Sequence, residues 1–206
     1  MMTLASTLLT LPITSRDHVR GPASAEVTLI EYGDYACPQC DQARSVVKRL
    51  QAAIGDRLRY VFRNFPKSGA QSFPHRAAEA AMAAGAQHKF WEMHDLLFDH
   101  QSALSDKHLK LYATRVGLDM ELFNYDMTLH AFALRVYEDA VSGSRSGVTS
   151  TPSFFINDSR HLGSCDFETL LAQIEEVARS QPSGNRAIPD APPQAMVDSP
   201  TPRANS

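Results

Sequence analysis

Apolar and polar positions alternate at two different periods along the chain, and the changes of period mark out its elements. Val27-Thr28-Leu29-Ile30-Glu31-Tyr32 is a nearly continuous apolar run of strand length and reads as a strand. After Pro38, the residues Ala43, Val46, Val47, Leu50 and Ile54 recur at helical spacing, and Gly55 follows as a C-cap. Leu58-Arg59-Tyr60-Val61-Phe62-Arg63 reads as a second strand, with Arg59 and Arg63 as edge or surface charges, and Asn64-Phe65-Pro66 stops it. Strand, helix and strand in this order predict a β-α-β unit.

From about Lys67 to Ser146 the period becomes almost wholly helical. Pro74 opens an Ala-rich helix that runs through Gly85, and Phe90, Met93 and Leu97 form a stripe at i, i+3 and i+7. Ser105 and Asp119 are placed as N-caps of two more helices. A last helix from Leu129 to Val141 turns Phe132, Val136 and Ala140 inward. Strand periodicity then returns over Ser153 to Asn157, just after Thr151-Pro152, with His161-Leu162 as a short final strand. Asp166 caps a closing helix that buries Phe167, Leu170, Leu171, Ile174 and Val177. At the other end, Leu8-Leu9-Thr10-Leu11-Pro12-Ile13 reads as an edge strand, where a proline is tolerated.

Length and composition narrow this picture. With 206 residues and 43% hydrophobic content, the chain can bury a sizeable core as one domain with an insertion. A net charge of −3 gives no footprint for nucleic acid. No apolar run approaches the roughly 18 residues of a membrane-crossing helix, so membrane insertion is not expected. Leu4 to Ile13 has the apolarity of an export signal, but no Lys or Arg precedes it and Thr14-Ser15-Arg16-Asp17 is unlike a cleavage site. The edge-strand reading therefore leads, and with it a cytoplasmic location in which a disulfide is transient and catalytic; an export signal would instead imply the periplasm. Gln181 to Ser206 is Pro-, Ser- and Ala-rich without period, the composition of a disordered tail.

The candidate chemistry lies at Cys37-Pro38-Gln39-Cys40, where the first strand gives way to the helix. Pro38 suits the first helical position, because it has no N–H to leave unpaired. Cys37 would then face the unpaired backbone N–H groups and positive dipole end of a helix N-terminus, which favour thiolate over thiol. Cys40, one turn deeper, is placed as the resolving thiol. The same spacing is also half of a zinc site, but zinc normally takes four ligands and the chain holds three cysteines with no partner motif. His88, His94 and His100 do not complete one. Their six-residue spacing advances a helix by roughly 600°, which puts neighbours about 120° apart, and solvated histidines are the simpler reading.

Two separated stretches, Glu31-Tyr32-Gly33-Asp34-Tyr35-Ala36-Cys37-Pro38-Gln39-Cys40 and Gly147-Val148-Thr149-Ser150-Thr151-Pro152-Ser153-Phe154-Phe155-Ile156-Asn157, resemble the DsbA-like branch of the thioredoxin superfamily. The resemblance runs from about Arg16 to Ala178. It implies an α/β thioredoxin fold, a central mixed β-sheet flanked by helices, with an inserted α-helical domain. On that plan residues 1–20 are an N-terminal extension, 21–66 and 146–179 make the thioredoxin-fold domain, 67–145 the helical insertion, and 180–206 the tail.

The resemblance also implies function. It makes the protein a thiol–disulfide oxidoreductase with a redox-active disulfide between Cys37, the nucleophile, and Cys40, acting on cysteine-containing protein or small thiol substrates without cofactor or metal. A redox partner of the glutathione or thioredoxin type would reset it. Pro152 would be a cis-proline, turning the backbone of Thr151 toward Cys37 to pair with an extended substrate. Glu31 reads on its own either as a solvated strand-end acid or as a partly buried carboxylate that exchanges protons with Cys40; the family's buried acid at this offset favours the second. Asp34 is expected to be a solvated loop residue. Pro38-Gln39 resembles the Pro-His of the strongly oxidising members without the imidazole, so a less oxidising potential is expected. Cys165 has no place in the pattern: it is a small buried hydrophobe, or else a third redox thiol or glutathionylation site. A non-catalytic redox sensor on the same fold is the alternative to an enzyme.

Overall fold

In the computed structural model, which describes residues 8–180, the two long apolar runs lie side by side. A short strand, β1 (His18–Arg20), precedes β2 (Val27–Gly33), and α1 (Pro38–Ile54) crosses over to β3 (Leu58–Asn64), which is parallel to β2 with Val27 opposite Leu58. β1 pairs antiparallel with β3. A block of five helices follows: α2 (Phe73–Ala86), α3 (Phe90–Asp99), α4 (Asp106–Arg115), α5 (Met120–Thr128) and α6 (Ala133–Arg145). The chain then returns to the sheet as β4 (Ser153–Ile156), antiparallel to β2, and β5 (Ser159–Arg160), before α7 (Phe167–Ser180) closes the fold. The strand order β1-β3-β2-β4-β5 makes a mixed sheet, the α/β thioredoxin fold with a helical block inserted between its two halves.

β2 is buried along all seven residues because it is the central strand and both its faces are covered. Leu29 with Tyr60, Phe62, Phe154 and Ile156 packs against Cys40, Ala43, Val47 and Leu50 of α1 and Leu170 and Ile174 of α7. Ile30, Tyr32, Val61 and Phe155 face the other way, toward Val148, Leu9, Ile13 and Phe65. Within the insertion, α2 buries Ala77, Ala78, Ala80, Ala81, Ala83 and Ala84 and packs against α3, α4, α5 and α6. Its small side chains are what allow four helices to approach one.

Several local expectations change. The edge strand over residues 8–13 shrinks to one bridge, Leu8 opposite Ser159, plus a bond from Leu9 N–H to Asp158. The carbonyls of Leu11 and Pro12 are instead taken by the guanidinium of Arg63, each at 3.0 Å. Arg63 is thus no surface charge. Its side chain is 4% exposed, and its Nε donates to Asp17, itself 1% exposed, at 2.8 Å. Burial alone would raise the Asp17 carboxyl, but Arg63 and then Arg135 hold it below its ordinary value. The final strand falls at Ser159–Arg160 rather than at His161-Leu162, since a two-residue turn at Asn157-Asp158, with Asn157 at φ 53°, pairs Ile156 with Ser159 and leaves Leu162 exposed. The stretch expected to be a tail, residues 181–206, lies outside the described residues.

Candidate active site

The end of β2 delivers the chain to α1 through Asp34-Tyr35-Ala36. Gly33 is required at the turn: a Cβ there would come within 2.4 Å of the Phe62 ring and 3.1 Å of a Glu31 carboxylate oxygen. Cys37 is the N-cap of α1, in extended conformation, and Pro38 takes the first helical position. The Cys37 N–H donates to the Asp34 carbonyl and the Cys40 N–H to the Cys37 carbonyl, both at 3.0 Å. The thiols therefore lie one turn apart, Cys37 half-buried and Cys40 buried.

Asp34 is buried, contrary to its expected solvation. One oxygen accepts from the Ala36 N–H at 2.8 Å, the other from the Lys67 N–H at 3.1 Å, while its own N–H points at the Cys40 sulfur at 3.5 Å. This acid holds the loop in place. Tyr35 is also fixed from behind, its ring against Phe62 and Phe98 and its hydroxyl 3.1 Å from Nδ1 of His94. His94 is buried rather than solvated, and burial pushes it down to about 3.

A further brace comes from the insertion. Nε2 of Gln101 donates at 2.9 Å both to the Tyr35 carbonyl and to the Cys37 carbonyl. The spacing of 64 residues hides this contact from any local pattern.

The Cys37 sulfur lies 3.2 Å from Oε1 of exposed Gln39 and 3.3 Å from the Thr151 carbonyl. Both are acceptors, so the arrangement suits a thiol; a thiolate would be met by Gln39 only after its amide turns to present Nε2. The Thr151–Pro152 peptide bond is cis. Thr151 is buried, with its hydroxyl oxygen unpartnered among the described residues.

Glu31 lies on the α1 side of β2. It is buried, accepts from the Tyr60 hydroxyl at 2.8 Å through Oε2, and has no partner at Oε1. Burial raises its carboxyl to about 8, against a smaller lowering by the Tyr60 bond. The same burial, and then the Glu31 charge, push the Cys40 thiol far up. One half-buried thiol, one buried thiol and one carboxyl pushed up to about 8 are the parts needed for paired electron and proton exchange. Cys165 packs against the core below, half-buried, its thiol raised by burial and then by Glu31. Among the described residues no group of His, Cys, Asp and Glu is arranged to hold a metal ion, and none has the length and apolarity of a membrane-crossing helix.

Comparison with known proteins agrees with this architecture. A family model described as thioredoxin matches residues 14–176. Among solved structures, the chain superposes on a thioredoxin-like oxidoreductase from Silicibacter pomeroyi with a TM-score of 0.73, 27% identity and coverage of 82% of this chain and 95% of that one. BdbD from Bacillus subtilis superposes with a TM-score of 0.73 over 84% of this chain and 99% of that one, and the thiol-disulfide exchange protein α-DsbA2 from Wolbachia pipientis with 0.70 over 79% and 88%. At 22% and 23% identity these two speak for the fold alone. By sequence, the chain is 45% identical over 159 residues to a protein of Salinispora arenicola named Na(+)/H(+) antiporter NhaA 1, covering 77% of this chain and 24% of that protein. A similarly named protein of Herminiimonas arsenicoxydans is 41% identical over 165 residues, 79% of this chain and 26% of that protein. The chain spans about a quarter of the length of the relatives it matches.

Proposed function

The chain belongs to the thioredoxin family, and from that membership we propose that it is a DsbA-like thiol–disulfide oxidoreductase acting on cysteine-containing proteins through Cys37 and Cys40. The observation that carries the reading is the pairing of a half-buried thiol at the N-cap of α1 with a buried thiol one turn on, beside Glu31. In the reducing direction the Cys37 thiolate attacks a substrate disulfide, a Cys37–substrate bond forms and one substrate thiolate leaves. Cys40 then attacks the Cys37 sulfur, its proton passing to Glu31 as carboxylate, and the second substrate sulfur leaves as a thiolate that takes its proton from solvent. The substrate has gained two electrons and the enzyme holds the Cys37–Cys40 disulfide. The oxidising direction is the reverse. A glutathione or thioredoxin-type couple resets the dithiol, and Thr151 presents its backbone to an extended substrate chain.

Turnover of insulin in the presence of a thiol reductant tests the reading. Cys37→Ser is expected to lose turnover and Cys40→Ser to accumulate a mixed disulfide on Cys37; turnover by Cys37→Ser at the wild-type rate would overturn it. A potential near the cytosolic poise of roughly −220 to −320 mV would mark a cytoplasmic reductase, and one nearer about −120 mV an oxidase of an exported compartment. A second reading is a redox sensor whose dithiol changes state without turnover. It is favoured by the relatives named as antiporters, which share this region over a quarter of their length. A sensor reacts once with insulin and stops.

A further inference from the structure

The cations of the helical insertion are not used evenly. The Arg76 side chain, 12% exposed, is fixed by Asp106 through Nε at 3.2 Å, and through Nη1 by Glu79 at 3.3 Å and the Met127 carbonyl at 2.9 Å. Glu79 beneath it is 1% exposed and is also held by His75 at 3.0 Å. Nη2 of Arg76 makes no hydrogen bond among the described residues. Lys107 and Lys110, one turn apart on the exposed side of α4, form no ion pair there either. All three cations line one open cavity of about 700 Å³ between α2, α4 and α5, whose carboxylate, Asp106, is already taken by Arg76. Its floor includes Leu109 and Met127, and Phe73 stands at the rim 63% exposed. Every lining residue comes from the insertion, and none of them is a residue placed at the active site above.

We propose that this cavity is a docking site for a polypeptide segment carrying acidic side chains around one large apolar side chain. Calling that segment part of a substrate rests on the thiol–disulfide reading; the binding itself does not. Arg76, its charge already answered by Glu79 and Asp106 and its Nη1 also 3.1 Å from Nδ1 of His130, is held rigidly and offers one unused N–H donor at Nη2 for a polar group of the segment. Lys107 and Lys110 supply uncompensated charge for its acidic side chains, on a chain whose net charge is −3. Phe73, Leu109 and Met127 supply the apolar seat that a buried anchor side chain needs. A strand of nucleic acid would require a continuous basic groove with several stacking aromatics, and here Phe73 stands alone at the rim. A membrane surface would meet a convex face, not a cavity.

The test uses the full chain and a cysteine-free fluorescent peptide with a phenylalanine flanked by glutamates, read by polarisation. Lys107→Gln/Lys110→Gln, both exposed, is expected to weaken binding about tenfold at low salt, with the difference vanishing at high salt. Phe73→Ala is expected to weaken it severalfold at either salt. Equal binding by the double variant, equal binding of a lysine-flanked peptide, or stronger displacement by an oligonucleotide or anionic vesicles than by unlabelled peptide would each overturn the proposal. Insulin turnover by the double variant, whose thiols are untouched, separates the two readings. If the peptide binds and the dithiol does not turn over, the docking site stands and the enzymatic reading falls.

Discussion

Glu31→Gln should stabilise the protein, by an amount that depends on pH. Burial raises the Glu31 carboxyl from 4.5 to about 8. Between those values the native state keeps a proton that the unfolded chain releases, so wild-type stability falls as pH rises through this window and is fully restored below it. At about 1.36 kcal/mol per unit, the cost accumulates to about 3 kcal/mol at pH 7 and about 5 kcal/mol above pH 8. Glutamine cannot ionise and its amide oxygen can still accept from Tyr60. The variant should therefore match wild type near pH 4 and exceed it by about 3 kcal/mol at pH 7 and 5 kcal/mol at pH 9. Urea denaturation of both proteins with all thiols reduced, at intervals from pH 4 to pH 9, measures the difference directly, since groups such as Asp139, raised by its own burial to about 6, titrate in both and cancel. Parallel stability curves across that range would refute the assignment of a buried, uncompensated acid. The stabilised variant should also be the poorer catalyst, with release of the mixed disulfide slowed about a hundredfold as Cys40 loses its proton acceptor.

Three other perturbations probe the rest of the site and its frame. Gln39→His places an ionisable imidazole by the Cys37 sulfur and should raise the reduction potential by roughly 30 mV, equivalent to about 1.4 kcal/mol of added thiolate stabilisation; an unchanged or lower potential in glutathione equilibration contradicts this. Gln101→Ala removes two hydrogen bonds to the active-site loop and should cost about 1–3 kcal/mol in urea denaturation while changing the iodoacetamide reaction rate of Cys37. A stability loss with unaltered alkylation would show that the brace does not reach the sulfur. Asp17→Asn strands the Arg63 guanidinium in the interior and should cost about 3–5 kcal/mol, read as a fall in denaturation midpoint; a loss under about 1 kcal/mol would mean that the carbonyls of Leu11 and Pro12 suffice.

What was legible in the sequence was whatever depends on local period or on a fixed short spacing. The β2–α1–β3 unit, the Phe90, Met93 and Leu97 stripe and the placement of Pro38 after a capping Cys37 are all of this kind. What failed depends on contacts between distant segments. Arg63 looks like a strand-end charge until the N-terminal segment lies across it with Asp17, and His94 looks like one more surface histidine until Tyr35 and Phe62 enclose it. Asp34 has no signal of burial beyond its place before the thiols. Gln101 has none at all, because a glutamine in a helix–helix connection is unremarkable without knowledge of what packs beneath it. The edge strand at residues 8–13 failed for a related reason: the apolar run was present, but the carbonyls of Leu11 and Pro12 that would have joined a ladder were taken by a side chain.

Glu31 and Asp17 show why burial alone does not mark a functional acid. Both are carboxylates in an interior that penalises charge, and for both burial acts to raise the pKa. Around Asp17 two guanidiniums more than reverse that effect, so the group stays charged and contributes stability at neutral pH that is lost as pH falls through its lowered pKa. Around Glu31 one neutral hydroxyl answers one oxygen, the other oxygen has no partner among the described residues, and the pKa stays high. A structural acid is one the fold has neutralised. An acid left unneutralised costs stability at every pH where the unfolded chain would ionise it, and a position that bears such a cost beside a buried thiol is where proton transfer is to be sought. The pH dependence of Glu31→Gln and of Asp17→Asn should therefore run in opposite senses and in different windows: the first gains on wild type as pH rises from 4.5 to about 8, whereas the second loses on it only as pH rises through the acid range up to the ordinary aspartate value of 3.8 and keeps a constant deficit above it. If Glu31→Gln ran parallel to wild type from pH 4 to pH 9, or if Asp17→Asn changed its difference from wild type within that range rather than below it, the distinction between compensated and uncompensated acids would fail, and with it the case for Glu31 as the proton acceptor of Cys40.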